Sequence, residues 1–154
     1  MQEVEKVREF LQERNPELNI IQLAEDISTS ELAAQALGTE VGQIAKSMLF
    51  KTKQNGFVLV VSAGDVKVDS KLMKDLVGSR VRMARAEEVE EVTGFKVGGV
   101  CPFALKEDIL IYLDESLKRY DIVYTAAGTA KTALPIGYQE LVRITEGKPC
   151  RVCN

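Results

Sequence analysis

One lysine stands in an otherwise apolar stretch, Val41-Gly42-Gln43-Ile44-Ala45-Lys46-Ser47-Met48-Leu49-Phe50. Strand alternation from Ala45 onward puts Lys46, Met48 and Phe50 on one face and Ala45, Ser47 and Leu49 on the other. An ammonium among such neighbours snorkels to water, is paired, or lines a cleft that receives negative charge. Further along, Gly98-Gly99-Val100-Cys101-Pro102 sets two glycines side by side ahead of a proline. Such a segment lets backbone N–H groups approach a ligand with no Cβ in the way, and the proline stiffens its exit. The same residues also make a plain turn. The sequence holds no histidine. That removes Ser-His-Asp and Cys-His nucleophile chemistry and most catalytic zinc sites. Cys150-Arg151-Val152-Cys153 has a redox or metal spacing, but with only Cys101 besides it reads as an exposed tail or a tail disulfide. No metal and no cofactor are expected.

The elements that must position these residues can be read in order. Val4, Val7, Phe10 and Leu11 fall at helical spacing, predicting a helix from Gln2 to Arg14 that Asn15-Pro16 ends. Residues 18–23 read as a first strand. Ser28-Thr29-Ser30-Glu31 is a capping cluster for a helix over residues 32–37, closed by Gly38. Asn55-Gly56 is a strong hairpin signal joining the Lys46 strand to residues 57–62, a run apolar enough to be buried on both faces. Asp69 caps a helix that Gly78 stops; Val81 and Met83 mark a short strand; residues 86–93 form a helix ended by Gly94. After an irregular stretch over 94–103 come apolar strands at 109–113 and 122–125, then a last hairpin or strand–helix piece over 134–144. Interleaved helices and hairpins predict an α+β fold, a mixed sheet with helices around it, in one domain spanning residues 1–154.

Composition agrees with that picture. Of 154 residues, 45% are hydrophobic and 28% charged, the proportions of a globular protein with its own core. No apolar run approaches the ~20 residues of a membrane span. The amphipathic start, Met1-Gln2-Glu3-Val4-Glu5-Lys6, is not a signal peptide. A cytoplasmic location without a membrane partner is expected. The net charge of −3 is unevenly placed. Residues 1–45 hold three basic and nine acidic side chains, residues 46–85 nine basic and three acidic, and residues 86–154 eight and eleven. The basic segment fits a polyanion met by one surface, or a solvated face balanced by acids elsewhere in the fold.

Three pieces taken in order carry a resemblance. They are Thr29-x-Glu31-x-Ala33-Ala34-x-Ala36-Leu37-Gly38 followed by Ile44-Ala45-Lys46-Ser47-Met48-Leu49-Phe50; Gly98-x-x-x-Pro102-Phe103; and Tyr124-Thr125-Ala126-Ala127-Gly128. In order and spacing the chain resembles the YbaK/EbsC family and the editing domain inserted in bacterial prolyl-tRNA synthetases, over roughly residues 29–144. The resemblance implies that family's fold, with a partly barrel-like sheet, and a free-standing hydrolase that removes mischarged amino acids from tRNA. It implies a small amino acid such as Cys, Ala or Ser, on tRNA-Pro or a related tRNA. Lys46 matches the signature functional residue. The loop matching Gly98, Gly99, Cys101 and Pro102 borders the aminoacyl group, and Ala126, Ala127 and Gly128 match the strand end that closes the pocket. Thr29 and Ser47 are further candidates to hydrogen-bond substrate, against a helix cap and a strand hydroxyl as their plain roles. Many relatives have Asn where this chain has Ser47, and some carry Ser or His near Ala126, where only a methyl stands here.

The implied partners are the acceptor end of aminoacyl-tRNA and an aminoacyl-tRNA synthetase, with no DNA. Ester hydrolysis passes through an oxyanion, so pre-aimed N–H donors matter most. With no imidazole, a ribose hydroxyl or the amino acid's own side chain is the candidate base. Lys46 then holds the terminal phosphate or the developing charge, or acts as a base after losing its proton. Two other classes stay open at this level: a non-catalytic tRNA- or synthetase-binding module, and an esterase or small-molecule binder unrelated to RNA.

Overall fold

A computed structural model of the chain describes residues 2–54 and 56–154. Strand β3 (Phe57–Ala63) is its spine, buried from Val58 to Ala63 as an apolar run covered on both faces must be. It pairs antiparallel with β2 (Ile44–Thr52) and parallel with β5 (Leu110–Asp114). Strand β6 (Val123–Thr125) lies parallel to β2, β7 (Thr132–Ile136) antiparallel to β6, and the two-residue β1 (Ile21–Gln22) antiparallel to β7. A short β4 (Val81–Met83) also pairs with β2, and β8 (Lys148–Cys150) adds to β5. This is the expected mixed sheet of an α+β fold. The partly barrel-like closure is not found: the sheet runs in the order β1-β7-β6-β2-β3-β5-β8 and stays open.

Among the described residues five α-helices pack around it. Helix α1 (Gln2–Arg14) buries Val4, Val7 and Leu11, a stripe at helical spacing. Helix α2 (Ser30–Leu37) begins at the Thr29 cap and ends where Gly38 turns left-handed at φ +70°. Helix α3 (Ser70–Val77) is capped by Asp69, which accepts from the N–H groups of Lys71 and Leu72 at 2.9 and 3.0 Å. Helices α4 (Ala86–Thr93) and α5 (Tyr138–Thr145) complete the set. The alternation of β2 is as its residue types dictate. Met48 and Phe50 pack toward Met73 of α3, while Ala45 and Leu49 join the clusters on the other face. Among the described residues no helix is long and apolar enough to cross a membrane.

The structure departs from the sequence reading at the first strand and at the end of the sequence, and one expected turn falls outside the described residues. The first strand is shorter than residues 18–23, because Leu23 and Ile27 donate instead to the Lys131 and Ala130 carbonyls, an irregular loop-to-loop pairing. The Asn55-Gly56 turn falls on Asn55, which lies outside the described residues; the strands flanking it are antiparallel neighbours. The end of the sequence is not an exposed tail. Cys150 closes β8, Val152 is fully buried, and Cys153 bridges to Val68. Both cysteines are free, and burial pushes their thiols up to about 12 and about 11, so neither is a ready thiolate.

Two polar anchors set the margins of the sheet. Buried Asp114 accepts from the N–H groups of Val152 (2.8 Å) and Ser116 (3.0 Å). Asp114→Ala orphans both donors and is expected to lower stability by about 2–3 kcal/mol; urea unfolding measures it. Strand β4 is fastened to α4 by Glu88, which accepts two hydrogen bonds from the Arg82 guanidinium (2.9 and 3.0 Å) and one from the Arg85 N–H (2.8 Å). Arg82 first, then the Arg85 amide, holds the Glu88 carboxyl down to about 2. A depressed carboxyl stabilises the fold above the ordinary glutamate range, about 4.3, and that contribution is lost as pH falls toward 2. NMR titration is expected to place the Glu88 midpoint near pH 2 and to raise it toward the ordinary range in Arg82→Ala, where the Arg85 amide remains.

Candidate active site

A strand has two edges, and β2 uses them unequally. One is paired with β3 from Ala45 to Lys51. The other is shared between β6, parallel along Ile44 and Ala45, and β4, antiparallel from Phe50 to Thr52. Between them, residues 46–49 have no strand partner on that edge among the described residues. The Leu49 carbonyl is taken there by the Ala84 N–H at 2.9 Å. Backbone groups two residues apart in a strand point the same way, so the N–H and C=O of Ser47 also face this gap. A cavity of about 310 Å³ occupies it. Ala45, Ser47 and Leu49 line it from one face of β2, and Ile44, Lys46 and Met48 from the other. The cavity thus passes through the plane of the sheet at a broken edge. Its size is at the small end of ligand clefts, about 300–1,000 Å³.

Five of the residues singled out in the sequence meet at this cavity: Thr29, Lys46, Ser47, Gly98 and Ala126. The half-buried Lys46 amine donates to the Val66 carbonyl at 2.9 Å, a neutral partner that fixes it without cancelling its charge. That charge also reaches Asp65, whose carboxyl is held below the ordinary range mainly by hydrogen bonds from the Arg119 guanidinium. The Ser47 hydroxyl is buried with no hydrogen-bond partner. An unmade buried hydrogen bond costs about 1–3 kcal/mol, and a polar ligand atom in the cavity would make it. Thr29 accepts from the Leu32 N–H at 3.1 Å, so it is a helix cap and a cavity wall at once. Gly98 has φ +97°, and a Cβ there would come within 3.1 Å of Ser28 Cβ; glycine lets this loop close on the start of α2. Ala126 sits on a turn tied by Thr132, whose hydroxyl accepts from the Ala127 and Thr129 N–H groups and donates to the Thr129 carbonyl.

The other five do not reach it. Gly99 and Gly128 are where two loops touch: a Cβ on Gly99 would lie 2.7 Å from Thr129 Cα, and one on Gly128 2.9 Å from the Glu3 carbonyl oxygen. They border a separate shallow hollow with Glu3 and Lys96. Cys101 and Ala127 are fully buried in the main core, and burial pushes the Cys101 thiol up to about 12. Pro102 faces a groove beside Phe10 and Arg14. These residues hold the loops that carry Gly98 and Ala126. Met83 and Val97, at the cavity and 56% and 66% exposed, were not singled out by sequence. The only signal was an apolar residue at the alternate position of Val81-Arg82-Met83 and another beside Gly98.

The basic segment divides between its two readings. Lys51, Arg82 and Arg85 are paired with Glu88. Lys51, Lys53, Arg80 and Arg82 also line a shallow groove beside β4, so a cationic surface remains next to the cavity.

Comparison with known proteins agrees with the motifs. The aminoacyl-tRNA editing domain model matches residues 24–144. YwhH of Bacillus subtilis strain 168, an uncharacterized protein, is 36% identical over 145 residues, covering 94% of this chain and 92% of that one. The multifunctional Ser/Thr-tRNA deacylase ProXp-y of Escherichia coli K12 is 30% identical over 127 residues, 79% of this chain and 76% of its own. A solved structure described as a candidate trans-editing enzyme for prolyl tRNA synthetase superposes with a TM-score of 0.93 at 33% identity, covering 100% of this chain and 98% of that one. The chain belongs to the aminoacyl-tRNA editing domain family, the YbaK/EbsC group that its three motifs resemble.

Proposed function

We propose that this chain hydrolyses, in trans, the ester that joins a small amino acid to the 3′ end of a mischarged tRNA, with tRNA-Pro or a related tRNA as the carrier. The observation that carries the reading is the cavity at the broken edge of β2, where a fixed ammonium, an unpartnered hydroxyl and free backbone groups converge. The aminoacyl group enters between Gly98 and Ala126. Water adds to the ester carbonyl, and the oxyanion that forms takes donors already aimed into the gap, the Ser47 N–H and hydroxyl. One such donor is worth roughly 10²–10³ in rate. Lys46 supplies the positive charge, directed at the oxyanion or the terminal phosphate.

No histidine exists to take the proton. The vicinal ribose hydroxyl, held beside the ester by binding, relays the proton of the attacking water to the departing ribose oxygen. The products are a free amino acid and an uncharged 3′ end. The protein contributes orientation and charge, which suffice for a large acceleration when the reacting groups are fixed.

Lys46→Ala is expected to cut kcat/KM for deacylation by about 10²-fold or more. Activity within a few-fold of the parent would remove Lys46 from the mechanism. A panel of Cys-, Ala-, Ser- and Pro-charged tRNAs reads the substrate, and binding of all four without hydrolysis of any would make the chain a binding module. Ala126→Leu, which fills the wall of the cavity, is expected to depress turnover of the larger aminoacyl groups by about tenfold or more relative to the smallest. Equal effects across the panel would show that this wall does not measure size.

A further inference from the structure

The reading above accounts for the inside of the cavity and leaves its mouth unexplained. Five large hydrophobic side chains are exposed among the described residues, and Met83 and Val97 are the two of them that line this cavity. Their exposures, 56% and 66%, are too high for core residues. They stand on opposite sides of the sheet plane. Met83 pairs with Phe50 and shares the face of Lys46 and Phe50. Val97 belongs to the Gly98 loop, whose Val100 packs with Leu49 on the other face. An exposed apolar side chain therefore stands on each side of the sheet plane at this cavity, and a flat group lying between them would meet an apolar surface on both faces.

We propose that Met83 and Val97 clamp the base of the terminal nucleotide of the acceptor end. This rests on the deacylase reading and adds the place of the nucleoside to it. An unpaired 3′ end offers its base as a flat group with both faces open, the form in which single strands are recognised. A polarizable thioether on one face and methyl groups on the other hold such a ring without regard to its hydrogen-bonding edge. The direction of the strand also follows. Strand β4 carries Met83 at the cavity, while Val81 and Arg82 with Arg80, Lys51 and Lys53 form the cationic groove. A chain whose last base sits at Met83 runs its phosphates along β4 past those cations.

The test uses an acceptor-stem RNA hairpin with 2-aminopurine as its unpaired 3′ nucleotide, titrated with the parent protein and with Met83→Ser/Val97→Ser. Binding to the parent is expected to change the 2-aminopurine fluorescence. The double variant is expected to lose that change and to bind about tenfold more weakly, with a thermal midpoint close to the parent's because both side chains are exposed. In steady-state deacylation the double variant is expected to raise KM far more than it lowers kcat. A fluorescence change that is absent in the parent, or identical in the double variant, overturns the clamp. The two readings separate: a parent that deacylates tRNA but leaves 2-aminopurine silent keeps the hydrolase and loses the clamp, whereas a quenched base without deacylation does the reverse.

Discussion

The structure depends on one strand edge that two partners share without filling. Strand β6 approaches β2 in parallel and β4 approaches it antiparallel, so they cannot merge into one ladder. In the stretch between them the Leu49 carbonyl is taken by the Ala84 N–H, while the Ser47 N–H and C=O face the gap with no strand partner there among the described residues. Buried backbone groups without partners are rare and costly, so such a gap is stable only if it is open to water or to a ligand. It also lets side chains from both faces of a sheet reach a single hollow. Lys46 and Ser47 are neighbours in sequence and point in opposite directions, yet both line the same cavity.

The Lys46 amine is held in place, and the support for it is long. Its acceptor is the carbonyl of Val66, in the loop between β3 and α3. That loop is fixed in turn by the end of the sequence. The Asp69 N–H donates to the Val152 carbonyl at 2.7 Å and the Asn154 N–H to the Lys67 carbonyl at 3.1 Å. The end segment is anchored by Asp114, buried beneath it and satisfied by two backbone donors. A buried carboxylate in that position is stabilising only because its hydrogen bonds are complete. The contribution of residues 148–154 to the site is therefore indirect: they set where the ammonium rests.

Local physics made the elements legible. The capping residues Thr29 and Asp69, the stops at Gly38 and Gly78, and the helical stripe of α1 are properties of short segments, and the structure has them where the residues put them. The odd lysine among apolar neighbours was legible for the same reason, because alternation along one strand requires no knowledge of what lies beside it. The gap was not. It arises from which strands pair with β2, a relation between residues 44–52, 81–83 and 123–125 that no local pattern records. The glycines show the same limit. Gly98 and Gly99 are indistinguishable by type, but one opens onto the cavity and the other lies against the backbone of Thr129. The end segment misled because a short polar sequence with two cysteines looks solvated until a strand edge beside β5 takes it in.

The walls explain how such a cavity could discriminate by size. Ala33 comes from α2, Ala45 from β2, Ala126 from the turn after β6, and Ala133 from β7. Where these alanines line the cavity, its limit lies one methyl away from the backbone, whereas Leu37, Met48, Met83 and Tyr124 line it elsewhere with longer side chains. Long side chains lining a hollow can change rotamer to admit a larger guest, whereas backbone fixed by ladder hydrogen bonds and close packing yields little. A binding site loses only about 1–3 kcal/mol when its guest lacks a methylene, so attraction discriminates weakly between small amino acids. Exclusion by rigid backbone is steeper, because an oversized group must displace elements of the sheet itself. The same broken edge that supplies the polar groups thus brings the backbone of α2, β2, β7 and the turn after β6 to one cavity.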